Sequence, residues 1–217
     1  MKLDAPTLVT VTIFVMVVMG GLYLLSWSQS RQTRALGFLG AAQIVGAGAV
    51  ALFGLRGHVP DWLSIGFANA AMLLAFGLIW AGARSFEGRR VTARQTGAGA
   101  VLWLAACLVP PFYASLGARV ILASAVAGLY CALAARTLWH HRGERLPSRA
   151  PAAILLASEA LLSWARIPAT LVLPVPPVGT PTDPFWVAAL CFVALLYTVA
   201  VAVLFMALAK ERLEAEQ

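Results

Sequence analysis

The stretch PAAILLASEALLSWARIPATLVLPVPP, residues 151–177, is strongly apolar and carries two charges inside it, Glu159 and Arg166. About 20 apolar residues cross the hydrocarbon core of a bilayer as a helix. Ionisable groups at that depth are costly, so they usually face a protein interior, pair with each other or serve a function. Seven residues make about two helical turns, which puts both charges on one face roughly 10 Å apart along the axis. Ser163 lies between them on that face, so we expect the other spans to enclose a polar stripe.

The composition of the whole chain is that of an integral membrane protein. Of its 217 residues, 61% are hydrophobic and 12% are charged, whereas soluble domains have about 25% charged residues. The net charge of +7 does not indicate nucleic-acid binding, because the basic residues fall in short segments between apolar runs. That distribution is typical of the charges that set membrane orientation. We therefore expect membrane lipid as a partner and no nucleic acid.

The apolar runs predict an all-α membrane protein with a bundle of seven transmembrane helices. Pro110 and Pro111 should end or kink the fourth run, and Pro168 in the sixth removes a backbone donor. Five prolines after the sixth run predict an extended loop. The membrane domain is expected at residues 1–208, followed by the start of a polar linker at 209–217. The expected spans are 7–27, 35–55, 62–83, 97–113, 119–139, the 151–177 stretch and 185–208.

The orientation follows from the Lys and Arg residues between the spans. Twelve of the sixteen fall on one side, in segments 31–34, 84–94, 136–149 and 210–212. Three fall on the other side: Lys2, Arg56 and Arg119. Because cytoplasmic loops carry the excess of positive charge, we expect the N-terminus outside and the C-terminus in the cytoplasm.

The candidate ligand-binding residues are centred on Glu159, Ser163 and Arg166. Neutral polar side chains in other spans could share the same pocket: Gln43, Asn69 and Tyr130. The alternative is structural: a charge pair, an arginine that reaches the interface, and polar contacts that hold helices together. Both interpretations stay open at this stage.

The sequence offers no cofactor site and no catalytic constellation. Its three cysteines all lie in apolar runs and form no CxxC pair, and no histidine lies in the middle of a span. A seven-helix protein invites comparison with rhodopsins, but a retinal Schiff base needs a lysine within the membrane. The two lysines, Lys2 and Lys210, lie outside the spans. With no phosphate-binding glycine loop, HExxH or GxSxG, we expect no metal, no cofactor and no enzymatic activity.

The last predicted span continues without a helix breaker into a polar segment, residues 209–217. Such an extension would let a membrane sensor pass motion to a cytoplasmic module. The candidate output residues are Lys210, Glu211, Arg212 and Leu213. The alternative is a frayed polar terminus.

Short motifs throughout the chain resemble the N-terminal seven-helix membrane region of bacterial diguanylate cyclases of the GGDEF type. They are PDWLSI (60–65), WAG (80–82), FEGRR (86–90), LGARV (116–120), RIP (166–168) and AKERLE (209–214), with Leu3, Asp4 and Thr7 before the first span. The resemblance implies a sensory input domain in the bacterial inner membrane. It also implies cyclic di-GMP synthesis by a C-terminal domain that acts as a dimer. The chain contains neither GGDEF nor GGEEF, so it is not itself the cyclase.

The function expected from the sequence is therefore that of a membrane-embedded sensory domain. A small ligand of unknown identity, or a stimulus within the membrane, would act on a cytoplasmic cyclic-di-GMP-synthesising module, and the domain would be a homodimer. Two alternatives remain. A small transporter or channel would also need charges beside a broken helix. An accessory subunit would pack against a larger membrane complex.

Overall fold

The computed structural model describes residues 5–29, 34–140, 146–172 and 184–215, and within these ranges every regular element is helical. The first helices are α1 (Ala5–Gln29) and α2 (Arg34–Gly54). A π-helical turn (Trp62–Phe67) leads directly into α3 (Ala68–Phe86). The others are α4 (Ala93–Cys107), α5 (Pro110–Ala114), α6 (Leu116–Trp139), α7 (Arg149–Val172) and α8 (Pro184–Ala215).

Six helices in the described ranges are long and apolar enough to cross a membrane. They correspond to six of the seven predicted spans, and their apolar segments are Pro6–Gln29, Arg34–Gly54, Trp62–Phe86, Leu116–Trp139, Arg149–Val172 and Cys191–Ala215. The predicted proline-rich loop lies outside the described residues, apart from Pro184 at the start of α8.

The predicted fourth span, residues 97–113, is divided between α4 and α5. α4 has 15 residues, about 22 Å, which is shorter than a hydrocarbon core of about 30 Å. It ends at Cys107 because two prolines follow, and Val109 is extended as expected for a residue before proline. A seventh crossing therefore remains a prediction.

The six long helices form a closed ring in the order α1, α2, α3, α6, α7, α8, with α8 returning to α1. α4 packs outside the ring, mainly against α3. Close approach depends on glycine: a Cβ at Gly77 of α3 would overlap the carbonyl oxygen of Thr96 in α4. Small residues serve the same purpose in membrane helix pairs generally.

The ring has two unlike ends. The basic end is where α1, α3 and α6 finish and α2 and α7 begin. Among the described residues it carries Arg34, Arg84, Arg89, Arg90, Arg94, Arg136, Arg149, Lys210 and Arg212. The far end is where α2 and α7 finish, and Arg56 and Arg119 lie there.

An apolar cluster fills the half of the ring nearer the basic end, and all six ring helices contribute to it. We call it the six-helix core. Its largest member, Tyr23, is 0% exposed and donates a hydrogen bond from its hydroxyl to the Val201 carbonyl at 3.1 Å. One large residue from each helix illustrates its extent: Tyr23, Leu39, Phe86, Leu138, Leu156 and Phe205. Side chains therefore fill the interior of the ring in this half.

Candidate functional site

The candidate site on α7 lies at the edge of the face that this helix buries. That face consists of Ala152, Ala153, Leu156, Ala160 and Ser163. Glu159 is partly buried on its flank, and its Oε2 atom is enclosed without a hydrogen-bond partner. An enclosed carboxylate oxygen without a partner is costly, so its position calls for a ligand, water or proton.

Arg166 is exposed, so the other helices do not enclose it as the sequence predicted. The charges of Glu159 and Arg166 act on each other, yet no ion pair within 4.0 Å joins them in the described part of the chain. We use the name α7 recess for the three positions Glu159, Ser163 and Arg166 on α7.

α7 packs against α6 and α8, and these two helices flank the α7 recess. On the α6 side, a Cβ at Gly128 would overlap the indole nitrogen of Trp164, which donates to the Ala125 carbonyl at 3.3 Å. On the α8 side, the hydroxyls of Ser158 and Tyr197 lie 2.8 Å apart and share a hydrogen bond. These contacts fix α7 between its neighbours.

α6 also buries a polar atom in the half of the ring away from the six-helix core. Ser124 is 2% exposed, and its hydroxyl oxygen has no hydrogen-bond partner among the described residues. Together with Glu159, it leaves two enclosed oxygens unsatisfied on the two helices that pack most closely, α6 and α7.

The structure places Gln43 and Asn69 away from α7. Gln43 is buried on α2 near Gly20 of α1, and its side-chain oxygen has no partner in the described ranges. Asn69 donates from Nδ2 to the Ile65 carbonyl at 2.8 Å, a contact within its own helical segment. Neither α2 nor α3 packs against α7, so these two side chains do not join the α7 recess.

Tyr130 also faces away from α7, toward α4. Its hydroxyl accepts from the Gly99 backbone N–H at 2.9 Å and lies 2.9 and 3.1 Å from the carbonyl oxygens of Gln95 and Thr96. This hydroxyl fixes the first turns of α4 on α6. Its observed contacts are therefore between helices.

The four candidate output residues have different surroundings. Lys210 forms an exposed pair with Glu214 at 3.7 Å, and Leu213 is partly buried. Glu211 accepts hydrogen bonds from the Ser148 backbone N–H at 3.2 Å and from its hydroxyl at 2.6 Å, directly before α7 begins. Arg212 donates from Nη1 to the Phe86 carbonyl at the end of α3 and lies over the Phe86 ring.

Three partners of this arrangement were missed by sequence reasoning: Ser148, Glu87 and Arg149. Glu87 and Arg149 form an ion pair at 3.4 Å, with the Glu87 side chain only 1% exposed. We call the contacts of Glu87, Ser148, Arg149, Glu211 and Arg212 the basic-end network. One signal was available in the sequence, since Glu87 is the single acid in the basic segment 84–94.

Sequence reasoning also treated Arg119 as a loop charge, but the structure buries it. It is 4% exposed near the start of α6. The available signal was the short segment 114–118, which brings Arg119 back beside Tyr113, with 6.0 Å between the guanidinium carbon and the ring centroid.

No group of three or more His, Cys, Asp or Glu side chains that could hold a metal occurs among the described residues. The cysteines Cys107, Cys131 and Cys191 are free thiols. Comparison with protein-family models, curated proteins and solved structures finds no match to this chain.

Proposed function

We propose that this chain is a membrane-embedded sensory input domain whose output element is α8. The observation that carries the proposal is the length and attachment of this helix. It has 32 residues, about 48 Å, so roughly 12 residues extend beyond a hydrocarbon core of about 30 Å. The extending segment is docked on the starts and ends of other helices rather than separate from them.

The docking gives a direct route from the α7 recess to the output element. Glu211 of α8 binds Ser148 at the first turn of α7, the helix that carries Glu159 and Arg166 further along. An axial shift or tilt of α7 would therefore change the contacts that hold the α8 extension. A ligand can drive such a shift only if it binds the two arrangements with different affinity.

The charge distribution supports an orientation with the basic end in the cytoplasm. In that orientation the N-terminus is outside, α8 leaves on the cytoplasmic side, and the α7 recess lies in the outer half. We propose the bacterial inner membrane as the location and a cyclic-di-GMP-synthesising module as the receiver. A homodimer follows from that module, because its activity requires two copies.

A small transporter is the second candidate, favoured by the charges on α7 and by Pro168 inside the same helix. The six-helix core argues against it, because large side chains from every ring helix fill the half nearer the basic end. A transporter would have to open this packing in each cycle. A sensor needs only to shift one helix along it.

The test uses Glu159→Gln, which removes the ionisable carboxyl group while keeping the side-chain shape. In cells that carry the native polypeptide, we expect this variant to change the cyclic di-GMP level. The control Glu214→Gln alters only an exposed pair and should leave that level unchanged. Equal levels in Glu159→Gln and the unmodified protein would contradict the proposed site.

A second measurement separates the sensor from the transporter. The purified protein is reconstituted in liposomes that contain a pH-sensitive dye, and a pH gradient is applied. A sensor should give the proton flux of protein-free liposomes. A flux that requires the protein and disappears in Glu159→Gln would favour the transporter instead.

A further inference from the structure

Arg119 at the far end is a buried cation without a protein partner for two of its nitrogens. Its Nε and Nη2 atoms are enclosed and make no hydrogen bond within the described ranges, and the residue is 4% exposed. A guanidinium does not lose its proton in a protein. A buried charge of this kind needs an opposite charge and acceptors for its N–H groups.

Arg119 and its charged neighbours, Arg56 and Asp61, together carry one net positive charge. The charges of Arg56 and Asp61 both act on it, and no carboxylate in the described part lies within 4.0 Å. With one acid and two arginines, Arg119 included, the neighbourhood has a net positive charge. A guanidinium with unused donors matches the oxygens of a phosphate group.

An apolar groove of about 550 Å³ lies next to this cationic neighbourhood, between the π-helical turn and α4–α5. Tyr113 joins the two: its ring lines the groove and also lies beneath the Arg119 guanidinium. The other walls include Trp62, Phe67 and Val101. A volume of this size is within the range of small-molecule sites.

The groove opens sideways onto apolar surface rather than toward the interior of the ring. Val101 and Leu108 on its rim are 67% and 83% exposed. On a membrane protein, such surface faces lipid chains. An occupant of the groove therefore enters from the bilayer, with its polar group at the far end beside Arg119.

The π-helical turn forms one wall of the groove. Within it the Ile65 carbonyl accepts side-chain hydrogen bonds from Asn69 at 2.8 Å and from Trp103 at 3.3 Å, and the second of these ties the turn to α4. Gly66 lines the groove, and a Cβ there would meet nothing within 4 Å. π-Helical turns of this kind are frequent at functional sites.

We propose that this end of the bundle binds an anionic phospholipid of the surrounding bilayer. Its phosphate would accept hydrogen bonds from Arg119 with the charge of Arg56 nearby, and one acyl chain would occupy the groove. We call this the Arg119 lipid site. The proposal is independent of the sensory function, since it uses neither the α7 recess nor the basic-end network.

The test is native mass spectrometry of the delipidated full chain in detergent. Dioleoyl phosphatidylglycerol is compared with dioleoylglycerol, which has the same chains and no phosphate. We expect at least about tenfold tighter binding of the phospholipid, and Arg119→Gln should remove this preference. Gly66→Leu should block the groove and weaken binding of both lipids. Gly48→Leu is the control, because Gly48 also has open space around it but lies on α2.

Equal binding of the two lipids by the unmodified protein would overturn the proposal. So would an unchanged preference in Arg119→Gln, or displacement of the phospholipid by oleate at equal concentration, which would make a free fatty acid the occupant.

A melting experiment covers the case in which Arg119→Gln folds poorly. Without lipid it should melt no lower than the unmodified protein, because it removes an unpaired charge, and only the unmodified protein should be stabilised by added phosphatidylglycerol. A variant that melts lower without lipid would show that protein contacts hold Arg119, which also overturns the proposal.

Discussion

Replacing Glu211 by Ala should loosen the α8 extension from α7. Glu211 accepts two hydrogen bonds from Ser148, at 3.2 Å from the backbone and 2.6 Å from the hydroxyl, in a partly buried position. Hydrogen bonds to charged groups contribute about 1.5–3 kcal/mol each, and partial exposure reduces this. We take about 2 kcal/mol for the two together. Because about 1.4 kcal/mol corresponds to a factor of ten, local opening of the extension should become about 25-fold more frequent.

Hydrogen–deuterium exchange of the backbone amides in residues 208–215 measures this opening directly. Glu214→Ala is the matched control: the same residue type, three positions along the same helix, in an exposed pair with Lys210. Such pairs contribute about 0.3–0.5 kcal/mol, so the control should change exchange about twofold. Arg212 still donates to the Phe86 carbonyl in both variants, so the extension is loosened rather than released.

A double-mutant cycle with Ser148→Ala tests whether the effect belongs to this contact. The two substitutions should be non-additive by about 1 kcal/mol or more, since each removes the same hydroxyl–carboxylate hydrogen bond. Additive effects, or equal exchange in Glu211→Ala and Glu214→Ala, would refute the reasoning that Glu211 couples α8 to α7.

Two further substitutions test the packing of α4. Gly77→Ala should destabilise the protein by about 1–3 kcal/mol in thermal unfolding, because the added carbon overlaps the Thr96 carbonyl oxygen, whereas Gly48→Ala has open space and should not destabilise beyond about 0.5 kcal/mol. Unchanged stability in Gly77→Ala would contradict the close α3–α4 contact. Tyr130→Phe should cost about 1 kcal/mol and increase amide exchange at Gly99, since it removes a side-chain acceptor of that N–H. Exchange equal to that of the unmodified protein would show that the hydroxyl does not hold α4.

The long helices could be predicted from sequence because about 20 apolar residues are sufficient to identify a membrane-length helix. The predicted second span, 35–55, differs from α2 (Arg34–Gly54) by one residue at each end. The prediction was less successful at α4, where Pro110 and Pro111 shorten the helix, so that length no longer identifies a span. Helix order around the ring depends on pairwise packing between distant segments, and no single-sequence pattern contains it.

The candidate site could be predicted only in part. Glu159, Ser163 and Arg166 lie on one helix, α7, because the relation between them is local, whereas their role as a ligand site stays a prediction. Whether Gln43, Asn69 and Tyr130 shared the pocket depended on how helices pack, and the structure places them at other contacts. The basic-end network was not predicted, because it also depends on how helices pack: Ser148 and Glu211 are 63 positions apart.

We propose that these helices are the input domain of a larger signalling protein, and the mass of the native polypeptide is the sharpest test of that proposal. An antibody against the segment around Arg142 can detect the polypeptide in its own membranes. The account predicts a band well above 23.0 kDa, the mass of the 217-residue chain, because a cytoplasmic module would follow α8. A band at 23.0 kDa would contradict it and would favour the transporter or the subunit of a larger complex.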